Sequence, residues 1–413
     1  MNAALIDAFA ALGVSIPNIL LPAPGVDLSK FAVVACDQHV SDPAYVEACV
    51  GDAPSALRLM LPEAYLEKPD RAARVEAINA AMKSYLEKGL LREVGEGFIY
   101  LHRTISTGVR HGLMMALDLE QYDYTPGAKS LIRATEQTIP ERLPPRVEIR
   151  KGAVLELPHI MVLVDDPENL LLGTLEQALP QLTQCYDFDL MQQSGHLTGW
   201  LVQQEELLAR LADILGTLCR KGDGLLFAMG DGNHSLATAK SCYEELKKNN
   251  PGVDLSNHPA RYALVELENI HDPAQVFEPI HRVIFKTEPK KLLKALEDAC
   301  GGTEGFPVKW YIGEESGTIV LDKNKGELAV GILQHFLDEY LKSNPGEIDY
   351  IHDDDALISF AKQENAIGFL LPAMEKSQLF RGVIADGVLP RKTFSMGHSR
   401  EKRYYLEGRK IKA

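Results

Sequence analysis

The stretch Leu225-Leu226-Phe227-Ala228-Met229-Gly230-Asp231-Gly232-Asn233-His234-Ser235-Leu236-Ala237-Thr238-Ala239-Lys240 reads as a buried strand, a glycine-bracketed turn and a helix in immediate succession. A short apolar run between glycines suits a strand covered on both faces, and 235–248 carries its apolar residues at helical spacing. A strand that turns straight into a helix leaves the first backbone N–H groups of that helix unpaired, beside the positive end of its dipole. Such a place binds anions. Gly230 and Gly232 let a phosphate approach the backbone, and Asn233, His234 and Ser235 add side-chain donors. Asp231 repels an anion, so here it would hold a metal such as Mg²⁺, accept a proton, or orient His234. The plain alternative has Asp231 or Asn233 capping the helix while the glycines only turn the chain. The spacing is neither G-x-x-x-x-G-K-[ST] nor G-x-G-x-x-G.

Outward from this stretch, helical periodicity marks 70–91, 204–220, 289–300 and 333–342. Short β-rich segments fall at 31–35, 98–104, 112–119, 159–164, 262–267 and 308–312. Residues 318–321 and 327–330 flank Asn324-Lys325-Gly326 and predict a hairpin. Strands and helices interleave irregularly, which predicts a mixed α/β fold with a mixed sheet rather than a regular doubly wound one. Turn-like residues at 124–127 and the run GGTEGFP at 301–307 suggest three regions, 1–125, 126–305 and 306–413.

The 413 residues carry 43 Lys plus Arg against 58 Asp plus Glu, a formal charge of −15, which argues against a surface built to grip nucleic acid or anionic lipid. Positive charge is nonetheless concentrated. Residues 129–151 hold a local +3 and residues 390–413 a local +6, which leaves −24 on the remainder. Two such segments could converge on an anionic small ligand, or the second could be simply a solvated tail or strand edge. No window is apolar enough for a membrane span or signal peptide, so a cytoplasmic protein is expected. Cys36, Cys49, Cys185, Cys219, Cys242 and Cys300 are too widely spaced for a zinc ribbon or a disulfide framework, and reduced, mostly buried thiols follow. Nothing in the sequence sets an oligomeric state.

A second cluster is Ile132-Arg133-Ala134-Thr135-Glu136-Gln137-Thr138-Ile139-Pro140-Glu141-Arg142-Leu143-Pro144-Pro145-Arg146. Its prolines argue for a stiff, extended or turning backbone on which Arg142 and Arg146 could each grip a phosphate with two parallel hydrogen bonds. Glu136 reads either as a salt-bridge partner or as a general base toward a hydroxyl. His159 reads as a core residue, Asp165-Asp166-Pro167 as a structural turn and Asp353-Asp354-Asp355 as a helix start. His281-Arg282 interrupts a β-rich run, either as a structural ion pair or as a further candidate for the site.

With these residues in view, the sequence resembles the domain of unknown function 1015 family of bacteria and archaea. The likeness runs through ACDQHVSDPAYVE at 35–47, which brings Asp37 in as a candidate, and RATEQTIPERLPPRVEIRKGAVLELPHIMVLVDDP at 133–167. It continues through FAMGDGNHSLATAK at 227–240, RYALVELENIHDPAQVFEPIHRVIF at 261–285, LPRKTFSMG at 389–397 and EKRYYLE at 401–407. More distantly it is similar to the ParB/sulfiredoxin-like group, which includes free serine kinases. That likeness rests on a strand, a D-G-x-H core and a helix, matched by Asp231, Gly232, Asn233 and His234. The resemblance implies a ParB/sulfiredoxin-like core with peripheral helices. The group's motif usually ends in arginine where Ser235 stands here, so Arg142, Arg146 or Lys392 would have to supply the missing charge.

These readings together predict an enzyme that binds a small phosphate-bearing ligand, most plausibly a nucleotide (ATP or ADP) with Mg²⁺, and transfers a phosphoryl group to a hydroxylated metabolite. Gly230, Gly232, Asn233, Ser235, Arg133, Arg142, Arg146 and Lys392 would bind phosphate; Asp231, Glu136 and His234 would act in catalysis. The rival is a ParB-like, nucleotide-gated or DNA-associated module without metabolic catalysis.

Overall fold

A computed structural model describes the whole chain except residues 35–40, 137, 140–142, 158–159, 398, 403 and 413. Two compact units result: residues 1–134, 138–275 and 398–413 make the first, and 135–137 with 276–397 the second. The expected three regions do not follow these units. The stretch at 301–307 is linker-like in composition, yet Gly301 ends the helix Pro289–Cys300 by donating to the Glu297 carbonyl (2.9 Å), and Gly305 opens the strand Gly305–Ile312. It therefore lies inside the second unit.

The first unit is built on a ten-stranded sheet. Its path runs Thr183–Asp189, His196–Val202, Phe98–Ile105, Gly108–Asp118, Tyr262–Asn269, Met161–Val164, Phe227–Asp231, Ile132–Arg133 and Tyr122–Asp123, with Val14–Ser15 added beside Gly108–Asp118. Met161–Val164 runs parallel to Tyr262–Asn269, and Ile132–Arg133 parallel to both its neighbours; the remaining pairs are antiparallel. This is the mixed α/β architecture with a mixed sheet that the interleaving predicted. Side chains alternate across the strands. Tyr100, Leu113 and Met115 enter one buried cluster, whereas Ile99, Leu101 and Met114 enter another.

The helix Glu205–Lys221 shows how the first cluster is covered: Leu208, Leu211, Ala212, Leu215 and Leu218 fall on one stripe, and all are buried. Predicted helices appear as Arg71–Glu87, Glu205–Lys221, Asn233–Asn249, Pro289–Cys300 and Ala329–Tyr340. Among the described residues the strand expected at 31–35 begins only at Val33, after the short helix Leu28–Phe31, whose cap Asp27 accepts from the Ser29 amide (3.0 Å). Among the described cysteines Cys49 is exposed and the other four are half-buried thiols, less enclosed than the sequence predicted.

The basic C-terminal stretch is no solvated tail. Tyr404–Tyr405 pairs with Val33–Val34 and Arg409–Lys410 with Leu155–Glu156, and residues 404–409 are buried. The apolar Tyr404, Tyr405, Leu406 and Ile411 enter the second cluster, and that burial outweighs the charges beside them. Glu407 receives hydrogen bonds from the hydroxyls of Tyr186 and Tyr404. Burial pushes its carboxyl up to about 7 from 4.5, with Glu266 nearby adding to the rise and Tyr186 opposing it. A folded-state pKa above the unfolded one means that the stability Glu407 contributes is present in full below pH 4.5 and is lost as pH rises to about 7. The loss is on the order of 3 kcal/mol. Glu407→Gln should flatten this slope; denaturation midpoints followed across the window check it, and an unchanged slope in the variant refutes the assignment.

The second unit is a five-stranded antiparallel sheet ordered Glu315–Asp322, Gly305–Ile312, Ile367–Leu370, His281–Phe285 and Glu347–Ile351. Here the predicted hairpin is corrected. Glu315–Asp322 pairs backward with Gly305–Ile312 across Gly313, which adopts the left-handed φ of 58°. Residues 329–340 are helix, because Val330, Leu333 and Leu337 share a buried stripe whose first turn alone looks β-rich. Among the described residues no helix is long and apolar enough to cross a membrane.

Candidate functional site

Gly232 is the hinge of the strand-to-helix turn. It sits at the N-cap of Asn233–Asn249 with φ 85° and ψ 26°, a left-handed conformation that glycine adopts without penalty. Having no side chain, it caps nothing. The amides of Ser235 and Leu236 reach back to its carbonyl (2.9 and 3.0 Å), and Asp231 Oδ1 accepts from its amide (2.8 Å). That last bond precedes the helix, so Asp231 fixes the turn without capping the second or third helical amide. Residues 230–235 are all half-buried and therefore within reach of a ligand. Asn233 carries a buried Oδ1 that has no hydrogen-bond partner among the described residues. His234 Nε2 accepts from the Ile139 amide (3.5 Å), and its carbonyl accepts from Thr238 Oγ1 (2.7 Å).

Ser235 and Thr238, one turn apart, face a cavity of about 180 Å³. Arg146 and Arg150 line it as well, with Glu63, Glu156 and an apolar wall that includes Leu59, Met82 and Tyr405. Both arginines stand on the helix Leu143–Gly152, not on the extended backbone that the prolines suggested. Pro144 and Pro145 occupy its first turn, where a backbone N–H has no intrahelical partner to lose. Successive turns of the helix then bring the two guanidinium groups, four residues apart, to one face.

The charges around the cavity are paired in a graded way. Arg146 meets Glu63 at 2.5 Å, with the Arg146 side chain 18% exposed and that of Glu63 51%. Arg150 meets buried Glu156 at 2.6 Å, and Arg409 takes the other oxygen of Glu156 with Nε at 3.0 Å and Nη2 at 2.7 Å. Burial raises the Glu156 carboxyl, but Arg150 and Arg409 outweigh it, and the group lies below the usual carboxylate range.

The other sequence candidates are placed as follows. Arg133 is buried, donates from Nε to the Ser130 carbonyl (2.8 Å), and burial lowers its pKa against the pull of Asp223. Arg142, Asp37 and His159 lie outside the described residues. Glu136, His281, Arg282 and Lys392 belong to the second unit. Glu136 is half-buried and bridges to Leu389. His281 Nε2 pairs with Asp354 Oδ1 (2.7 Å) while its Nδ1 accepts from the Leu371 amide (3.1 Å).

Arg282 is fully buried and donates to the carbonyls of Ile280, Arg391 and Lys392 and to Gln334 Oε1, which makes it a fastening of that unit; burial pulls its pKa down to about 10. Lys392 itself is exposed. Asp166 and Asp353 do the structural work expected of them, accepting from the Leu171 and Ala356 amides (2.8 Å each). Sequence reading missed Arg150 and Thr238. The signal was their spacing, four residues beyond Arg146 and three beyond Ser235, once both segments are taken as helix.

The family described as "Protein of unknown function (DUF1015)" matches residues 19–406. A search of the curated proteins gives no match. Among solved structures, the chain is similar to a free serine kinase in complex with AMP at 12% identity and a TM-score of 0.38, covering 72% of this chain and 91% of that one. It is also similar to SbnI with C-terminal truncation from Staphylococcus aureus (10% identity, TM-score 0.36, 69% and 83% covered). A conserved hypothetical protein from Pyrococcus furiosus is similar at 12% identity and a TM-score of 0.34, with 72% and 95% covered.

Proposed function

The chain belongs to the DUF1015 family, and we propose that its first unit binds a small phosphate-bearing molecule at the start of the helix Asn233–Asn249 and transfers a phosphoryl group from a nucleotide to a hydroxylated metabolite. One observation carries this reading: a helix start whose N-cap residue, Gly232, offers no side-chain cap shares the wall of one cavity with Arg146 and Arg150 through Ser235 and Thr238. Dipole, hydroxyls and guanidinium then address one small volume. About 180 Å³ takes a phosphoryl group and the atoms next to it, so the base of a nucleotide would lie outside the cavity.

In this reading Gly230 and Gly232 admit the phosphate, and Ser235 donates to it. Arg146 leaves Glu63 to neutralise developing charge, and the orphan oxygen of Asn233 accepts from a ligand hydroxyl. Mg²⁺ held by a single carboxylate and substrate phosphates suits Asp231, and such an ion would offset charge on the transferred group. His234 orients the turn from within. The roles are confined to residues of the first unit.

Thermal unfolding with inorganic phosphate, AMP, ADP and ATP, with and without Mg²⁺, tests the binding half. Phosphate-bearing ligands should raise the melting temperature of the native chain and lose that effect in Arg146→Ala, while adenosine alone does nothing. If no phosphate-bearing ligand shifts the native chain, the reading fails. Binding without any phosphorylated product would favour a nucleotide-gated module.

A further inference from the structure

A second cluster of chemically competent side chains lies in the same sheet, on the strands three and four places along from Phe227–Asp231. His102 on Phe98–Ile105 and His111 on Gly108–Asp118 stand directly opposite each other in register, their rings 4.8 Å apart and edge to face. Glu176, from the helix Leu170–Ala178, reaches over them, and its Oε2 lies 2.8 Å from His102 Nε2. One nitrogen from each histidine and one Glu176 oxygen all lie within 4.8 Å of one another. We propose that His102, His111 and Glu176 form a binding site for a borderline divalent metal ion, Zn²⁺ by the chemistry of its donors, with one coordination position left to solvent.

The surroundings are those of ligands held in place. Asp272, only 4% exposed, accepts from His111 at both the backbone amide (3.1 Å) and Nδ1 (2.8 Å). A proton fixed on Nδ1 leaves Nε2 as the nitrogen with the lone pair, the arrangement in which a carboxylate behind a histidine orients it toward a metal. Glu176 is steadied in turn by the Tyr100 hydroxyl, which donates to Oε2 at 2.8 Å. The His102 ring packs edge-on against Trp200 at 4.8 Å. Two imidazoles and one carboxylate are the donor set that zinc takes in sites with an open position. The side chains of His102 and His111 are 20% and 30% exposed and that of Glu176 48%, so an ion can enter and keep water as its remaining ligand. Coordination through Nε2 requires the His102 proton on Nδ1, so the ion replaces the hydrogen bond between His102 Nε2 and Glu176 Oε2.

Full-length protein stripped with a chelator and titrated with Zn²⁺ against a chromophoric competitor tests the site. One equivalent should bind, and Co²⁺ in its place should show the absorption of a four-coordinate centre. Glu176→Gln, at a half-exposed position that the fold tolerates, should weaken binding at least tenfold, and Asp272→Asn should weaken it about 10–100-fold through His111 alone. The same affinity in the native chain, Glu176→Gln and His102→Ala would place the ion elsewhere, on a cysteine for instance, and overturn the proposal. Absence of a stoichiometric site in the native chain overturns it as well. Neither result bears on phosphate binding beside Arg146.

Discussion

Glu156→Ala should lower the unfolding free energy by about 3–5 kcal/mol, as expected for one partner removed from a buried ion pair. Glu156 is 5% exposed, with Arg150 on Oε2 and with Arg409 and the Leu264 amide on Oε1. Without it Arg409, 6% exposed, keeps its bonds to the carbonyls of Pro259 and Tyr262 but loses its counter-charge. The strand pair Arg409–Lys410 with Leu155–Glu156 helps to hold this end of the chain, continued by the Ile411 amide donating to the Val154 carbonyl (3.0 Å). Glu156→Gln keeps the shape and an acceptor, so its loss should be smaller. The sign with pH follows from a folded-state pKa held below the unfolded one: the contribution is present above 4.5 and lost as pH falls through the lower, folded value. Urea midpoints at neutral and acidic pH measure both effects. A native chain and a Glu156→Ala variant with equal midpoints at neutral pH would show that Arg409 is satisfied by carbonyls alone.

The elements whose period spans several turns were legible in the sequence because burial writes itself locally there. Leu208, Leu211, Leu215 and Leu218 can face only one way on a helix. The strand and turn at 225–232 were legible for a similar reason, since Gly232 occupies a conformation that most side chains resist. The cavity was not. Its wall is assembled from 59–66, from the helix Leu143–Gly152 and the segment after it, from Ser235 and Thr238, and from Tyr405. No local pattern states that these segments meet.

Proline misled at 144–145 because its ban on helices lapses in the first turn. At 390–413 the count of lysines and arginines left tail and strand edge equally open, and the apolar triplet Tyr404-Tyr405-Leu406 decides for paired, buried strand there. The His102–His111 pair lay in plain view but carried no motif, since cross-strand partners are joined by register and not by sequence spacing.

On the proposed function, Arg146→Ala should lower kcat/KM for phosphoryl transfer by about 2–4 kcal/mol of transition-state stabilisation, roughly thirtyfold to a thousandfold. Its cost to the fold is read separately from the denaturation midpoint, because the Arg146 side chain is only 18% exposed in its pair with half-exposed Glu63. The two effects separate cleanly: a variant with an unchanged denaturation midpoint and unchanged turnover removes Arg146 from the mechanism. Glu63→Gln works in the opposite direction. It removes one carboxylate that competes with an incoming anion for the guanidinium and should tighten phosphate binding.

Asp231→Asn completes the argument, since an asparagine Oδ1 can still accept from the Gly232 amide as Asp231 does at 2.8 Å. The turn therefore survives, and phosphate binding survives or improves as a negative charge leaves the turn. Turnover does not, because the amide neither takes a proton nor holds Mg²⁺ as a carboxylate does. Undiminished turnover in Asp231→Asn would reduce this aspartate to a turn-former and leave a phosphate-binding protein without its catalyst.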